Sequence, residues 1–184
     1  MPTTEPRELI DFWRGAGHER WFKPDTGFDE GIRRRYGDLH HTAARGELDG
    51  WRDTAEGALA QLLLLDQFPR NLFRNSPHAY ATDPLALRLA EQSYERGFDQ
   101  ETESLLRPFF LLPFEHSEQL EHQDRAVELA ERLKTDTGDS ETLDWAIKHR
   151  EVIRRFGRFP HRNRALARDT TPEEQAYLDA GGGF

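Results

Sequence analysis

The chain has no cysteine among its 184 residues. That absence excludes disulfides, thiolate zinc sites, iron–sulfur clusters and a cysteine nucleophile. β-Branched aliphatics are also scarce, with two Val and four Ile against 22 Leu and 17 Ala. Strands prefer β-branched side chains and helices prefer Leu and Ala, so this balance excludes an extensive sheet and indicates an all-α protein. Long apolar runs are missing as well: Leu62–Leu65 and Pro108–Phe114 fall far short of the ~20 residues that a membrane helix requires. Near the start, Glu5, Arg7, Glu8 and Asp11 occupy the place of an apolar signal-peptide region. The expectation is a cytoplasmic protein without a membrane partner. A length of 184 residues with no dividing linker suggests a single domain over 1–180, followed by a flexible glycine tail over 181–184.

Lysine is the other rarity, three residues against 22 arginines. The net charge is −9, but it is unevenly spread. Residues 148–168 hold eight cations and one acid, a local charge of +7 that leaves −16 for the rest. Arginine's planar fork pairs bidentately with carboxylate or phosphate, which lysine cannot do. The acidic pI of about 5.4 and the lack of a recognised motif argue against nucleic acid as the partner of this patch.

Helix signals recur along the chain. Pro6 fits a first turn before Glu8–Trp13, and Phe28, Ile32, Tyr36, Leu39 and Ala43 make an amphipathic stripe that ends near Gly46. Ala55–Gln67 reads as a buried helix stopped by Pro69. Asp83-Pro84 reads as an N-cap with proline at N1, and Pro108 and Pro113 bracket a short aromatic helix. Further helices are expected from Glu118 to Lys134, with Ser117 as its cap, and from Glu141 to about Arg155, capped by Ser140. Thr171-Pro172-Glu173-Glu174 is a capping box that opens a last short helix.

Three segments stand out, each an apolar stretch interrupted by proline and followed by polar residues: LLLLDQFPRNLFR at 62–74, FFLLPFEHSE at 109–118 and FGRFPHRNR at 156–164. Residues preceding proline avoid the α region, so helices are expected to end at Phe68 and Phe159. Asp66 sits in a last helical turn, where a negative charge opposes the dipole, and therefore calls for a partner; Arg70 is the obvious one. A buried Asp66–Arg70 clamp holding the Phe68-Pro69 corner is the plainest account. His149 shares an apolar stripe with Trp145, Val152 and Phe156, which most simply makes it a core histidine. Arg154, Arg155 and Arg158 close the same helix, where cations suit the dipole. His161, Arg162 and Asn163 lie beyond Pro160 and have no such local reason. His116 and Glu118 form a His-x-Glu that lacks metal-ligand spacing. No G-x-S-x-G, P-loop or G-x-G-x-x-G occurs, so neither a cofactor nor a metal is implied.

LLLLDQFPRN at 62–71, LPFEHSE at 112–118 and RFGRFPHRN at 155–163 resemble the signature blocks of the bacterial family catalogued as domain of unknown function 924. The resemblance runs from Asp11-Phe12-Trp13 through Thr171-Pro172-Glu173-Glu174. It implies an all-helical, tetratricopeptide-like right-handed array of antiparallel helix pairs, and it supplies no activity. Density of Arg, His and Asn at chain breaks in an acidic protein points to a pocket for a small anionic ligand or acidic peptide. Its candidate residues are Asp66, Arg70, Asn71, His116, Glu118, His149, Arg158, His161, Arg162 and Asn163, in a monomer or homodimer. Acid–base or metal-assisted chemistry by the His, Asp and Glu groups is the enzymatic alternative. Purely structural polar clusters, with a partner surface elsewhere, are the third reading.

Overall fold

The computed structural model describes residues 4–184. Among these residues the secondary structure is helical, with no strand. The chain forms two compact units, the first containing residues 4–74 and 78–113 and the second containing 75–77 and 114–184.

In the first unit, α1 (Pro6–Ala16) and α2 (His18–Phe22) precede the long α3 (Thr26–Ala44). Asp25 caps α3 by accepting the Phe28 N–H at 3.0 Å. After a 3₁₀ turn come α4 (Ala55–Leu62), a π turn (Leu63–Gln67), α5 (Phe68–Leu72), α6 (Asp83–Glu95) and the single-turn α7 (Phe98–Glu101). Helix α8 (Pro108–Glu115) carries the chain across the boundary between units. Trp13 anchors the core, with its ring 5.5–5.9 Å from those of Trp21, Phe28, Phe68 and Phe109. Leu62, Leu63, Leu64 and Leu65 are fully buried beside it, each side chain contributing about 1.5–3 kcal/mol relative to exposure.

The helix of 55–67 does not stop at Pro69. Phe68 stays in the αR region, and Pro69 lies in the first turn of α5. A π turn makes this continuation feasible: the Phe68 N–H reaches back five residues to the Leu63 carbonyl. The Leu64 carbonyl, thereby bypassed, accepts instead from the His40 ring Nδ1 at 2.8 Å. The Leu65 carbonyl would have faced the amide that proline lacks, and it accepts from the Thr82 hydroxyl at 2.6 Å. Burial lowers the His40 pKa, consistent with a neutral ring donating one hydrogen bond.

In the second unit, α9 (Leu120–Thr137) and α10 (Glu141–Phe156) pack on one another, joined by a three-residue turn with Gly138 in the left-handed region. Helix α11 (Pro172–Asp179) follows, and Tyr177 on it packs with Phe156 against the core of Val152, Ile153 and Phe159. The Thr171–Glu174 capping box forms as expected. Three other caps differ. Thr82, not Asp83, precedes α6, and the Asp83 carboxylate binds Arg70. Asp139 rather than Ser140 accepts from the Thr142 N–H. Ser117 accepts from the Gln119 N–H, and the helix begins at Leu120. Residues 181–184, read from the sequence as a flexible tail, lie here against α10 and α11.

At Gly57, in the first turn of α4, a Cβ would collide with the backbone carbonyl of Trp51. Alanine at a helical position ordinarily gains up to about 1 kcal/mol over glycine. Gly57→Ala is expected to do the opposite and destabilise by about 1–3 kcal/mol, measured as a fall in the urea midpoint. An unchanged or raised midpoint would show that the backbone yields.

Candidate functional site

The expected site residues divide between the two units. Asp66, Arg70 and Asn71 belong to the first. Asp66 lies in the π turn, fully buried, and accepts from the Gln67 amide at 2.5 Å. Arg70 is 3.8 Å from Asp66, but its bidentate partner is Asp83, at 2.7 and 3.0 Å, and it also donates to the Ala79 carbonyl. Burial disfavours the guanidinium charge, yet Asp83 and Asp66 together raise its pKa above the ordinary arginine value. Asn71 donates to Asp29, which also pairs with Arg74. Here the anticipated Asp66–Arg70 contact is one edge of a wider ionic network.

The remaining candidates lie in the second unit, in two groups. Arg158 holds Glu174 bidentately at 2.6 and 2.9 Å, and Asn163 donates to the same carboxylate at 3.2 Å. The Arg158 bond, with the Thr171 N–H and Asn163, holds the Glu174 carboxyl down at about 2 against its desolvation. Glu118 grips Arg168 bidentately and accepts the Phe159 N–H at 2.8 Å. Against the desolvation imposed by burial, these contacts keep its carboxyl below the ordinary range. This first group pins the segment 157–174 to its surroundings. Much of the +7 charge of 148–168 is also paired here: Arg150 and Arg154 meet Asp124, and Arg155 meets Glu173.

The second group surrounds His149. This ring projects from α10, 7 % exposed, with its Nδ1 at 2.9 Å from the Trp145 carbonyl and 3.1 Å from Glu115 Oε1. Both neighbours are acceptors, so the neutral ring carries its proton on Nδ1 and leaves the Nε2 lone pair bare. Burial pushes the His149 pKa down to about 3; the Trp145 bond works against this, while His116, Arg162 and His161 act in the same direction. His116 lies 6.4 Å from His149 between ring centroids, and Phe159 at 5.6 Å connects His149 with His161, itself 5.6 Å from Phe159. The Arg162 guanidinium, on a residue 6 % exposed, covers the Phe159 ring at 4.5 Å. Phe159 is extended (φ −89°, ψ 106°), as its position before Pro160 requires, and this turns His161 and Arg162 out of the helical path. Such a cluster presents a neutral imidazole and a guanidinium beside a flat ring. Among the described residues no group of three or more His, Asp or Glu is placed to hold a metal.

Two members were not anticipated. Glu115 lies within the FFLLPFEHSE segment between Phe114 and His116, and only the fold brings it to His149. Phe184 stacks on His149, with centroids 3.7 Å apart and planes 15° from parallel. Its only sequence signal is an aromatic residue after three glycines.

The site belongs to an all-helical protein, and among the described residues no helix is long and apolar enough to cross a membrane. The chain belongs to the family described as bacterial protein of unknown function (DUF924), whose model matches residues 9–182. It is similar to the solved structure of a protein of unknown function from Agrobacterium tumefaciens, with 49% sequence identity and a TM-score of 0.90, covering 96% of this chain and 97% of that one. No curated protein matches the sequence.

Two pH effects follow. The folded His149 pKa of about 3 lies below its ordinary 6.5, so an unfolded chain binds the extra proton in between. Its contribution to stability is present in full above pH 6.5 and lost as the pH falls toward 3. His149→Gln is expected to flatten that part of the stability–pH curve, and the wild-type ring should remain neutral by NMR at pH 5. A His149 ring titrating near 6.5 would contradict this environment. Glu174, lowered from 4.5 to about 2, stabilises above pH 4.5 and ceases to do so as the pH falls through 2. Denaturation curves between pH 2.5 and 6 should show less pH dependence in Glu174→Gln than in wild type; identical slopes would count against the Arg158 clamp.

Proposed function

We propose that the His149 pocket binds a small anionic ligand or the acidic end of a peptide. The observation that carries this reading is the grouping of the Arg162 guanidinium and the His116 and His161 rings around His149 and Phe159. An anion received there meets a guanidinium 6 % exposed, where screening is weak and the planar fork favours carboxylate or phosphate. Arg158, Asn163 and Glu118 serve the pocket indirectly by fixing the segment that carries His161 and Arg162. Asp66, Arg70 and Asn71 belong to the ionic network of the first unit. The scaffold in this reading is a tetratricopeptide-like array of helix pairs, of which α9 and α10 would be one, in a cytoplasmic monomer or homodimer.

Titration with inorganic phosphate and with acetate, followed through the ring resonances of His116, His149 and His161, tests the proposal. At least one anion should move these signals saturably, and a concentration one hundred times its Kd should stabilise the fold by about 2.7 kcal/mol. Arg162→Gln, or His161→Asn if the first fails to fold, should weaken binding about tenfold or more, as loss of a charged hydrogen bond does. Rings indifferent to both anions would overturn the reading.

A further inference from the structure

The ring of Phe184 lies against His149 in a specific way. It lies parallel to His149 at 3.7 Å, while Trp145, Phe159 and His161 present themselves nearly perpendicular to it, at 77°, 83° and 86° and centroid distances of 5.7–6.0 Å. One stacked face and three edge contacts form an aromatic box, the geometry that ring quadrupoles favour. An aliphatic group of the same volume satisfies none of these orientations. Beside this box the Lys148 ammonium stands over the Trp145 ring at 4.1 Å. Phe184 itself remains 48 % exposed, so its ring enters the box from solvent and is not part of the core.

The route by which Phe184 arrives is built for it. The Gly182 N–H donates to the Tyr177 carbonyl at 2.9 Å, and the Gly183 N–H donates to the Tyr177 hydroxyl at 3.1 Å. A Cβ at Gly182 would fall 2.5 Å from the Tyr177 ring. At Gly183 φ is +113°, and a Cβ would approach His161 Cβ to 3.2 Å. Side chains are therefore excluded at both positions along the path that brings the ring to His149.

We infer that this box is a binding site for a planar aromatic ring bearing an anionic group, and that Phe184 is its resident, displaceable occupant. The ring moiety replaces Phe184 against His149, and the anionic substituent reaches the Arg162 guanidinium and the His116 and His161 imidazoles. The anionic half of this assignment rests on the function proposed above; the aromatic half rests on Phe184 and its four ring neighbours alone. With Phe184 in place the box is closed to a competing ring, so apparent affinity for an aromatic ligand is reduced by the fraction of time the box stands open.

Calorimetric titration of wild type and Phe184→Ala with benzoate, acetate and benzyl alcohol tests both halves. Phe184→Ala should bind benzoate about tenfold tighter than wild type, the gain expected if the ring closes the box some nine-tenths of the time. Acetate, which needs no ring site, should bind both chains equally. The His149 ring resonances should also shift when Phe184→Ala removes the stacked ring current. Benzoate binding that Phe184→Ala leaves unchanged, or unmoved His149 resonances, would overturn the aromatic assignment while leaving anion binding intact. Benzyl alcohol binding Phe184→Ala as tightly as benzoate would instead overturn the anionic half. Failure of all three compounds to bind either chain would overturn both. Phe184→Leu, which keeps apolar bulk without a ring, should behave as Phe184→Ala does; wild-type behaviour would refute a requirement for an aromatic occupant.

Discussion

A proline inside a buried helix is the constraint around which the first unit is arranged. Pro69 has no N–H, and water cannot reach the carbonyl left without a donor beside four buried leucines. A buried carbonyl without a partner costs on the order of 1–3 kcal/mol. The chain widens one turn into a π turn and recruits donors from elsewhere, His40 from α3 and Thr82 from the turn before α6. These bonds tie two sequence-distant elements to one turn. The same recruitment places Thr82 ahead of α6 and leaves Asp83 facing Arg70, so the ion pair of this region follows from the missing amide.

The second unit solves an electrostatic problem. An arginine-rich stretch of +7 within an acidic chain is absorbed by Asp124, Glu173, Glu174 and Glu118, each held by guanidinium groups. Exposed pairs among these contribute little stability individually. The Glu174 and Glu118 pairs matter more, because they also satisfy backbone amides at Thr171 and Phe159. At the aromatic box the Arg162 guanidinium covers Phe159, beside the imidazoles of His149 and His161. A neutral histidine with a fixed tautomer, bordered by groups that resist its protonation, stacks its flat face on Phe184.

Much of this was legible in the residue order. Helical periodicity, the scarcity of β-branched residues and the Thr171–Glu174 capping box all act within a few residues, and all lead to the observed helices. The extended turn at Phe159 was equally local, set by Pro160. Phe68 broke the same rule because the compensating donors, His40 and Thr82, are 28 residues before and 14 after it. The capping roles expected of Asp83 and Ser140 failed for a related reason: Arg70 supplied a stronger partner for the first, and Asp139 was better placed for the second. Arg158 and Asn163 were recognisable as unusual, but their common attachment to Glu174 depends on α11 folding back. Glu115 and Phe184 acquire significance only through His149, 34 and 35 residues away along the chain.

The glycines beside Tyr177 give the site an unusual dependence on residues that line none of it. Gly182 and Gly183 contribute neither charge nor ring to the aromatic box, yet a side chain there would press on Tyr177 and His161 along the path that leads to Phe184. Variation at these two positions therefore acts as a remote adjustment of occupancy, altering how often the box stands open while every residue facing His149 remains the same. In this protein the functional footprint of the pocket is larger than its surface.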